Sequence, residues 1–485
     1  MNNSKYPNLT SPIQLGKVTS SPRPSTRPIT PLWTFNNNMK RNYLLLLLLV
    51  AIGVRAADYI HYSEWITASE MKRTPHSYNL NFSAWAPNWS YQTGVELDGM
   101  LDVYTTYGDE KLGNYLKEYP AKMIDAKGSI TGYKYDDFNL DNVRPGHFLM
   151  RYYQLFPAKK DSLALDLLMS QLENQPRTDE GVWWHKAIYA RQVWLDGIFM
   201  GLPFYTLAAP FLAPGYERDY YDDAVDQITK TDQRTYDAAT RLWKHAWDET
   251  HEMFWANPTT GLSQHTWARA LGWFTMAMVE ILDALPETYE PRQQVTDLFQ
   301  RAMTSVVEYQ DAASGVWFDV LDVDDPRNYL EATASSMFAY CLLKGHRMGY
   351  LDDSFLEAGI RAYKGIIKEF VKQNANGTIS LTKCCEVSGL GPENKPHRDG
   401  SFEYYMSENV RDNDPKGIGP FIWASLEMER LGFTVQNLDT HTAVSTPKFS
   451  RPANGTRYDL LGRKICRSTR GVIIQDGRKS HTFVW

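Results

Sequence analysis

Residues 194–208 read WLDGIFMGLPFYTLA, an apolar and aromatic run with several small residues and one acidic side chain, Asp196. Other segments share this mixture of small and aromatic residues with few charges; they are residues 91–104, 144–156, 267–282, 333–350 and 417–433. Each is followed or preceded by a more charged, amphipathic stretch. Helices rich in small residues pack closely in an interior, whereas charged helices face solvent. Six such pairs predict six helical hairpins closed in a ring, an all-α (α/α)6 barrel over residues 57–435.

The acidic side chain of Asp196 has two interpretations. Asp is a favoured helix N-cap, so Asp196 either caps a helix that starts near Gly197 or does chemistry in a pocket at the mouth of the barrel. Asp141, in NLDNVRPGH, presents the same choice before another inner segment, where Pro145 fits a first helical turn. The two carboxylates lie about one hairpin apart, so both would face one pocket. Paired acid/base chemistry requires that arrangement.

The six inner segments begin with polar or aromatic residues, so functional side chains are expected at their N-terminal ends. A histidine beside tryptophan is more often a packed residue than a catalyst. Arg269 and Trp273 are four residues apart and share a helix face. They form either a structural cation–π pair or a carboxylate-binding arginine beside a sugar-stacking ring. The candidate substrate-binding residues are Tyr91, His185, Lys186, Trp194, His245, Trp267, Arg269 and Trp273.

The amino-acid composition argues against some classes of ligand and site. The formal net charge of −6 argues against a nucleic-acid binder. Aromatic residues make up 13% of the chain, which fits either a large core or a sugar-binding cleft. The four cysteines, Cys341, Cys384, Cys385 and Cys466, have no metal-ligand spacing, so we expect neither a disulfide framework nor a metal site.

Both ends of the chain differ from the barrel region. Residues 39–56 combine a basic start, an apolar run and a small-residue pattern, which predicts a secretory signal peptide, no stable membrane insertion after its cleavage, and a periplasmic or extracellular protein. Residues 1–38 are rich in Pro, Ser, Thr and Asn, so we expect disorder, or an extension upstream of a true start at Met39. Residues 436–485 contain Asn-Gly and Asp-Gly turn signals between short β-prone runs, which predicts a small β-rich appendage.

Several longer motifs resemble the unsaturated rhamnogalacturonyl hydrolases of glycoside hydrolase family 105. They include QVWLDGIFMGLPFY, HTWARALGWFTMAMVEILDALP, YLEATASSMFAYCLLKGHRMGYLD and NDPKGIGPFIWASLEME, in order, within residues 65–433. The resemblance implies an (α/α)6 barrel that removes 4,5-unsaturated uronic acid from oligosaccharides made by polysaccharide lyases, without a metal or organic cofactor. A related unsaturated glucuronyl hydrolase of family 88, acting on other lyase products, and an inactive sugar-binding barrel are the alternatives.

The resemblance also implies roles for individual residues. The catalytic acid of the WLDG motif falls on Asp196, and the second pocket carboxylate falls on Asp141. Matching pocket residues are His185, Lys186, His245, Trp267, Arg269 and Trp273. The implied reaction is hydration of the C4=C5 double bond, which needs a protonated acid. We expect burial beside Trp194 and the charge of Asp141 to keep Asp196 protonated, and Arg269, if near, to oppose this.

Overall fold

The computed structural model describes most of the barrel region and part of the C-terminal tail; the described residues are 59–80, 87–438, 440, 457–459, 471–475 and 478–482. The predicted disordered segment, residues 1–38, and the predicted signal peptide, residues 39–56, lie outside them, as does Cys466.

Each of the six segments predicted as an inner helix is a helix. The inner helices are α2 (Tyr91–Tyr107), α4 (Pro145–Leu155), α6 (Leu195–Leu212), α8 (Ala268–Ala284), α10 (Ala332–Arg347) and α13 (Pro415–Arg430). Each contacts the next in this order, and α13 contacts α2, which closes the ring. Helix α6 is apolar and long enough to cross a membrane, but 72% of it is buried within the fold. The structure confirms the predicted all-α (α/α)6 barrel.

The outer layer consists of amphipathic helices that alternate with the inner ones along the chain. They are α1 (Tyr62–Arg73), α3 (Glu110–Met123), α5 (Lys159–Glu173), α7 (Glu217–Thr235), α9 (Arg292–Glu308) and α11 (Asp353–Phe370). Helix α1 packs against α13, so the first described helix completes the last hairpin. A short helix, α12 (Phe402–Ser407), precedes α13.

Glycine allows the ring to close. A Cβ atom at Gly419 of α13 would lie 2.6 Å from the backbone oxygen of Val95, and one at Gly99 of α2 would lie 3.1 Å from the oxygen of Gly419. Real Cβ atoms essentially never come as close as the first distance, and the second is tighter than most real Cβ contacts. The small residues that predicted the inner helices therefore permit direct backbone contact between α2 and α13.

Short strands connect the helices. Within the barrel region they are β1 (Gln192–Trp194), β2 (Tyr236–Asp237), β3 (Leu242–Trp243), β4 (Ala246–Asp248), β5 (Val371–Gln373), β6 (Ile379–Leu381), β7 (Cys384–Cys385) and β8 (Val410–Arg411). They pair antiparallel as β1 with β4, β2 with β3, β5 with β6 and β7 with β8. These ladders fix the loops that lead into the inner helices.

The tail contains strands, as the turn signals predict. Strands β9 (Arg457–Asp459), β10 (Gly471–Gln475) and β11 (Arg478–Thr482) form an antiparallel sheet with β10 in the middle. Gln475 pairs with Arg478, so β10 and β11 flank the predicted turn at residues 476–477, which itself lies outside the described residues.

Candidate active site

The ladder between β1 and β4 brings Asp196 to His245. Trp194 pairs with Ala246, and the backbone N–H of Leu195 donates to the carbonyl of His245 at 3.2 Å. The chain then enters α6, which places Asp196 in its first turn. Asp196 Oδ2 lies 3.3 Å from His245 Nε2. The mouth of the barrel therefore holds a carboxylate in contact with an imidazole.

Of the two interpretations of Asp196, the structure excludes the helix cap. Helix α6 begins at Leu195, and its N-cap residue is Trp194, whose side chain makes no capping hydrogen bond. The β1–β4 pairing carries extended backbone up to Trp194, so the helix starts two residues earlier than a cap at Asp196 would allow. The carboxylate is left free to face the pocket.

A second cluster forms around Asp141. This residue lies in a 3₁₀ turn, Leu140–Asn142, and the N–H of Leu140 donates to the carbonyl of His185 at 3.2 Å. Its carboxylate pairs with the ammonium group of Lys186 and lies 3.6 Å from His185 Nε2. Asp141 thus occupies a turn, as one interpretation predicted, but it does not cap α4. Pro145 stands in the first turn of that helix, as predicted.

Trp194 joins the two clusters. Its ring stacks on His185, with centroids 4.9 Å apart, and on Tyr189 at 4.6 Å, and its centroid lies 5.4 Å from that of His245 at 73°. Gly197 makes room for this arrangement, because a Cβ there would lie 3.0 Å from His185 Nδ1. The tryptophan and the glycine of WLDG therefore set the spacing between the Asp141 and Asp196 clusters.

Arg269 forms its cation–π contact with Trp267, not with Trp273 as the helical spacing predicts. Its guanidinium carbon lies 4.4 Å from the centre of the Trp267 ring, and Nη1 donates to the carbonyl of Cys385 at 2.5 Å. Trp267 is the N-cap residue of α8 with extended backbone, which turns its ring under the guanidinium. The Arg269 side chain is thereby tied to the segment that follows β7.

Trp273 lies one helical turn deeper. Its ring stacks on Phe199, with centroids 4.6 Å apart, and meets Tyr91 edge-on at 6.5 Å. Trp273 is only 1% exposed. This position favours a role in packing beneath the site over the predicted role in sugar stacking.

The charge state expected for Asp196 is wrong. Burial raises the pKa of its carboxyl, but His245, His185 and Arg269 together lower that pKa below the ordinary value. The charge of Asp141, expected to keep Asp196 protonated, is neutralised by its ion pair with Lys186. Asp196 is therefore a carboxylate in the resting enzyme.

In the Asp141 cluster, the histidine is neutral and the lysine is charged. Burial lowers the pKa of His185 to about 4, so its imidazole is neutral near pH 7. Burial also opposes the charge on Lys186, but the neighbouring Asp141 outweighs it and raises the pKa of the ammonium group. The Asp141 cluster is thus a charged pair beside a neutral imidazole.

Sequence reasoning missed further groups at the same mouth. Asp414 N-caps α13, where its side chain accepts from the N–H of Lys416, and Glu331 N-caps α10 and accepts from the N–H of Cys385 at 2.9 Å. Both acids precede an inner segment, the pattern that singled out Asp141, so the same argument could have found them. Asp319, which accepts from Trp267 Nε1 at 3.0 Å, and Tyr405 gave no such signal.

In the part of the chain that the structure describes, no group of three or more His, Cys, Asp or Glu residues is arranged to hold a metal ion. Cys341, Cys384 and Cys385 are buried, free cysteines. The two clusters at the mouth offer the carboxylates of Asp196 and Asp141, each beside a histidine, together with Lys186 and Arg269.

Comparison with known proteins identifies the family of this chain. The profile of Glycosyl Hydrolase Family 88 matches residues 62–432. A solved glycoside hydrolase of family 105 from C. acetobutylicum ATCC 824 is 39% identical, with a TM-score of 0.72, over 76% of this chain and 100% of its own length. The unsaturated rhamnogalacturonyl hydrolase YesR of Bacillus subtilis (strain 168) is 23% identical over 64% of this chain and 85% of its own.

A more distant structure shares the fold. The unsaturated glucuronyl hydrolase of Bacillus sp. GL1 is 15% identical, with a TM-score of 0.55, over 76% of this chain and 95% of its own. Since the family profile spans nearly the whole barrel and the family 105 structure aligns along its entire length, this chain is a glycoside hydrolase that belongs to Glycosyl Hydrolase Family 88 and groups with its family 105 relatives.

Proposed function

We propose that the enzyme removes a terminal 4,5-unsaturated uronic acid, an unsaturated galacturonate, from rhamnogalacturonan-type oligosaccharides made by polysaccharide lyases. The observation that carries this proposal is the position of Asp196, in contact with His245 and close enough to Arg269 for that cation to lower its pKa. The likeness to YesR, whose name states such an activity, supports the choice of substrate.

The substrate is an enol ether, because C4=C5 is conjugated with the carboxylate and C5 carries the ring oxygen. A proton from Asp196 adds to C4 and leaves C5 as an oxocarbenium ion. Water adds at C5, its proton is removed by a base, and a hemiketal forms. The hemiketal opens, and the bond between C1 and the aglycone oxygen breaks as the aglycone is released. No nucleophile has to attack the anomeric carbon directly.

Substrate binding supplies the proton-loaded state of Asp196. In the resting enzyme, His245, His185 and Arg269 hold the pKa of Asp196 low. A bound uronate places a negative charge among those groups and displaces water from the mouth. Both changes favour the protonated carboxyl, so its pKa rises when the substrate binds. Asp196 is therefore loaded with a proton when a uronate is bound, and in the substrate C4 of the double bond receives it.

The Asp141 cluster orients the sugar. Asp141 and Lys186 form an ion pair whose remaining acceptor and donor positions suit vicinal hydroxyl groups. Trp194 holds His185 between this pair and Asp196. Tyr91 lies at the start of α2, where it meets Trp273 below the same mouth. Together these residues fix the ring plane relative to the acid.

The proposal is tested with defined unsaturated disaccharides that differ in the aglycone. Loss of the ultraviolet absorbance of the conjugated double bond reports turnover. Rhamnose as the aglycone is expected to give the highest kcat/KM. A clear preference for amino-sugar or glucose aglycones would instead indicate an unsaturated glucuronyl hydrolase, the alternative that shares this chemistry.

We also propose that the enzyme is exported, because residues 39–56 have the layout of a signal peptide. Expression of the complete chain in a bacterial host, followed by cell fractionation and N-terminal sequencing, tests this. Cleavage after the Val54-Arg55-Ala56 pattern is expected; an uncleaved cytoplasmic protein would contradict the proposal.

A further inference from the structure

Tyr405 reaches His245 from the side away from Asp196. It lies on the short helix α12, is 0% exposed, and its hydroxyl oxygen lies 2.9 Å from His245 Nδ1. Its ring is nearly parallel to that of Trp267, with centroids 6.3 Å apart. Because the hydroxyl is buried behind the imidazole, Tyr405 acts on the substrate only through His245.

The hydroxyl proton identifies the tautomer of His245. Among the described residues, His245 Nδ1 is the hydrogen-bond partner of this hydroxyl. Burial raises the pKa of Tyr405 well above its ordinary value, so the O–H bond stays intact near neutral pH. A buried donor left unpaired costs about 1–3 kcal/mol, so the O–H donates to Nδ1. The ring proton of a neutral imidazole then sits on Nε2, which faces Asp196 Oδ2 at 3.3 Å.

We propose that Tyr405 is a positioning residue that fixes the Nε2–H tautomer of His245 and so directs an N–H at the carboxylate of Asp196. This inference rests on the proposed function of Asp196 as the acid. The hydroxyl of Tyr405 hydrogen-bonds to His245 Nδ1, and the other ring nitrogen, Nε2, lies 3.3 Å from Asp196 Oδ2. Neither of these two facing atoms has another hydrogen-bond partner among the described residues. Other titratable or charged groups around this chain are His185 and Arg269 near Asp196, and Tyr404, Asp319 and Asp322 near Tyr405.

The chain matters most after the proton has left Asp196. Transfer of that proton to C4 converts a neutral carboxyl into a carboxylate. A fixed N–H on Nε2, 3.3 Å from Oδ2, stabilises the developing negative charge. If His245 instead carried its proton on Nδ1, a lone pair would face the carboxylate and oppose its formation. Tyr405 therefore lowers the barrier to proton transfer without contributing to substrate binding.

The kinetic experiment compares Tyr405→Phe with Tyr363→Phe as a matched control. Tyr363 is also buried, and its hydroxyl donates to Ser425 Oγ at 2.9 Å, away from the Asp196 cluster. Loss of the hydroxyl group of Tyr405 is expected to lower kcat about tenfold and to leave KM within about twofold of wild type. The control is expected to keep both constants. Equal losses in the two variants would reduce Tyr405 to a packing role and overturn the proposal.

The pH profile of Tyr405→Phe is expected to shift in a definite direction. Without a fixed N–H donor, the carboxylate of Asp196 is less stabilised, and the pKa of Asp196 rises. The alkaline limb of kcat reports loss of the acid's proton in the enzyme–substrate complex, so this limb moves to higher pH in Tyr405→Phe. An unchanged limb in a variant with unchanged kcat would contradict the positioning role.

A spectroscopic measurement does not depend on turnover. Nitrogen NMR of ¹⁵N-histidine-labelled protein distinguishes a protonated from an unprotonated ring nitrogen, and the signals of His245 are identified by their loss in His245→Gln. Wild type is expected to show a protonated Nε2 and an unprotonated Nδ1, and Tyr405→Phe a mixture of tautomers. An unchanged tautomer in Tyr405→Phe would overturn the proposal. The tautomer can be measured even if the wild-type enzyme turns over none of the unsaturated substrates. Such a lack of turnover would refute the proposed function but not the tautomer assignment.

Discussion

Asp196 Oδ2 and His245 Nε2 lie 3.3 Å apart because β1 ends two residues before Asp196 and pairs with β4, which begins directly after His245. The ladder ends at Trp194 opposite Ala246, and just beyond it the backbone N–H of Leu195 donates to the carbonyl of His245 at 3.2 Å. Asp196 follows Leu195 in the first turn of α6, which brings its carboxylate to the imidazole. Neither side chain depends on the conformation of a free loop. The acid of the proposed reaction is therefore held by backbone hydrogen bonds and by the first turn of an inner helix.

Replacing Asp196 with Asn is expected to abolish turnover and to leave the fold intact. Trp194, not Asp196, occupies the N-cap position of α6, so no capping hydrogen bond is lost. Loss of a general acid lowers kcat by about 10²–10⁴-fold. Steady-state kinetics and thermal unfolding measure the two effects. Near wild-type turnover would contradict the assignment. So would a large drop in Tm if the loss of activity were no greater than the loss of folded protein.

Two replacements of Arg269 are expected to show how much of the substrate affinity comes from its positive charge and how much from its packing. Arg269→Ala should weaken uronate binding roughly tenfold or more, because a hydrogen bond to a charged group contributes about 1.5–3 kcal/mol. Arg269→Lys retains the positive charge and should lose less. Binding is measured by calorimetry with a turnover-deficient Asp196→Asn background.

The control for Arg269 is a carboxyl-reduced analogue of the substrate. Arg269 also donates to the carbonyl of Cys385, so its removal loosens the segment after β7. If the uncharged analogue loses as much affinity as the uronate, the effect comes from that loosening, and Arg269 is a structural residue.

Sequence patterns located the barrel well because they depend on local periodicity. Residues 91–104 and 267–282 were predicted as inner helices, and the structure has Tyr91–Tyr107 and Ala268–Ala284. The side-chain contacts were harder to predict. Helical spacing placed Arg269 beside Trp273, whereas the extended backbone at Trp267 offered a nearer ring. Periodicity defines a helix face but not what lies at the start of the helix.

The features of the site that could not be predicted depend on contacts between residues far apart in the sequence. The low pKa of Asp196 depends on His245, which only the pairing of β1 with β4 brings into contact. Tyr405 is 160 residues from His245 in the sequence, and nothing in EYYMSE marks it. Lys186 was a candidate, but its pairing with Asp141 also required the fold.

Asp319 is expected to make the stability of the enzyme fall as the pH rises. Burial and the nearby charge of Glu331 raise the pKa of this carboxyl above its ordinary value of 3.8. Above that pH the unfolded chain has lost the proton while the folded protein still holds it, so unfolding is favoured. The loss is about 1.4 kcal/mol for each unit by which the folded pKa exceeds the unfolded one.

Asp319→Asn removes this titration and keeps an oxygen that accepts from Trp267 Nε1. Its stability relative to wild type should therefore increase between about pH 5 and about pH 8. Denaturant unfolding of both proteins across that range measures the difference. A difference that stays constant with pH would mean that Asp319 is ionised in the folded enzyme.

The proposed hydration of the double bond is expected to leave isotopic labels at two carbons of the released uronate. Asp196 donates a proton to C4, so a reaction in heavy water should place one deuterium there. Water adds at C5, so a reaction in ¹⁸O-labelled water should place the new oxygen at C5. The C1 bond to the aglycone breaks only as the hemiketal opens, so the aglycone keeps its own oxygen.

NMR of fresh product, before its open-chain forms exchange with solvent, reads both labels. A saturated galacturonyl–rhamnose disaccharide is the matched control, because its glycosidic bond is similar but it has no double bond to accept a proton. It should be inert. Efficient cleavage of this saturated disaccharide, or product without deuterium at C4, would mean that Asp196 serves an ordinary glycosidase. The contact between Asp196 and His245 would then have to be interpreted as protonation of the glycosidic oxygen and not of carbon.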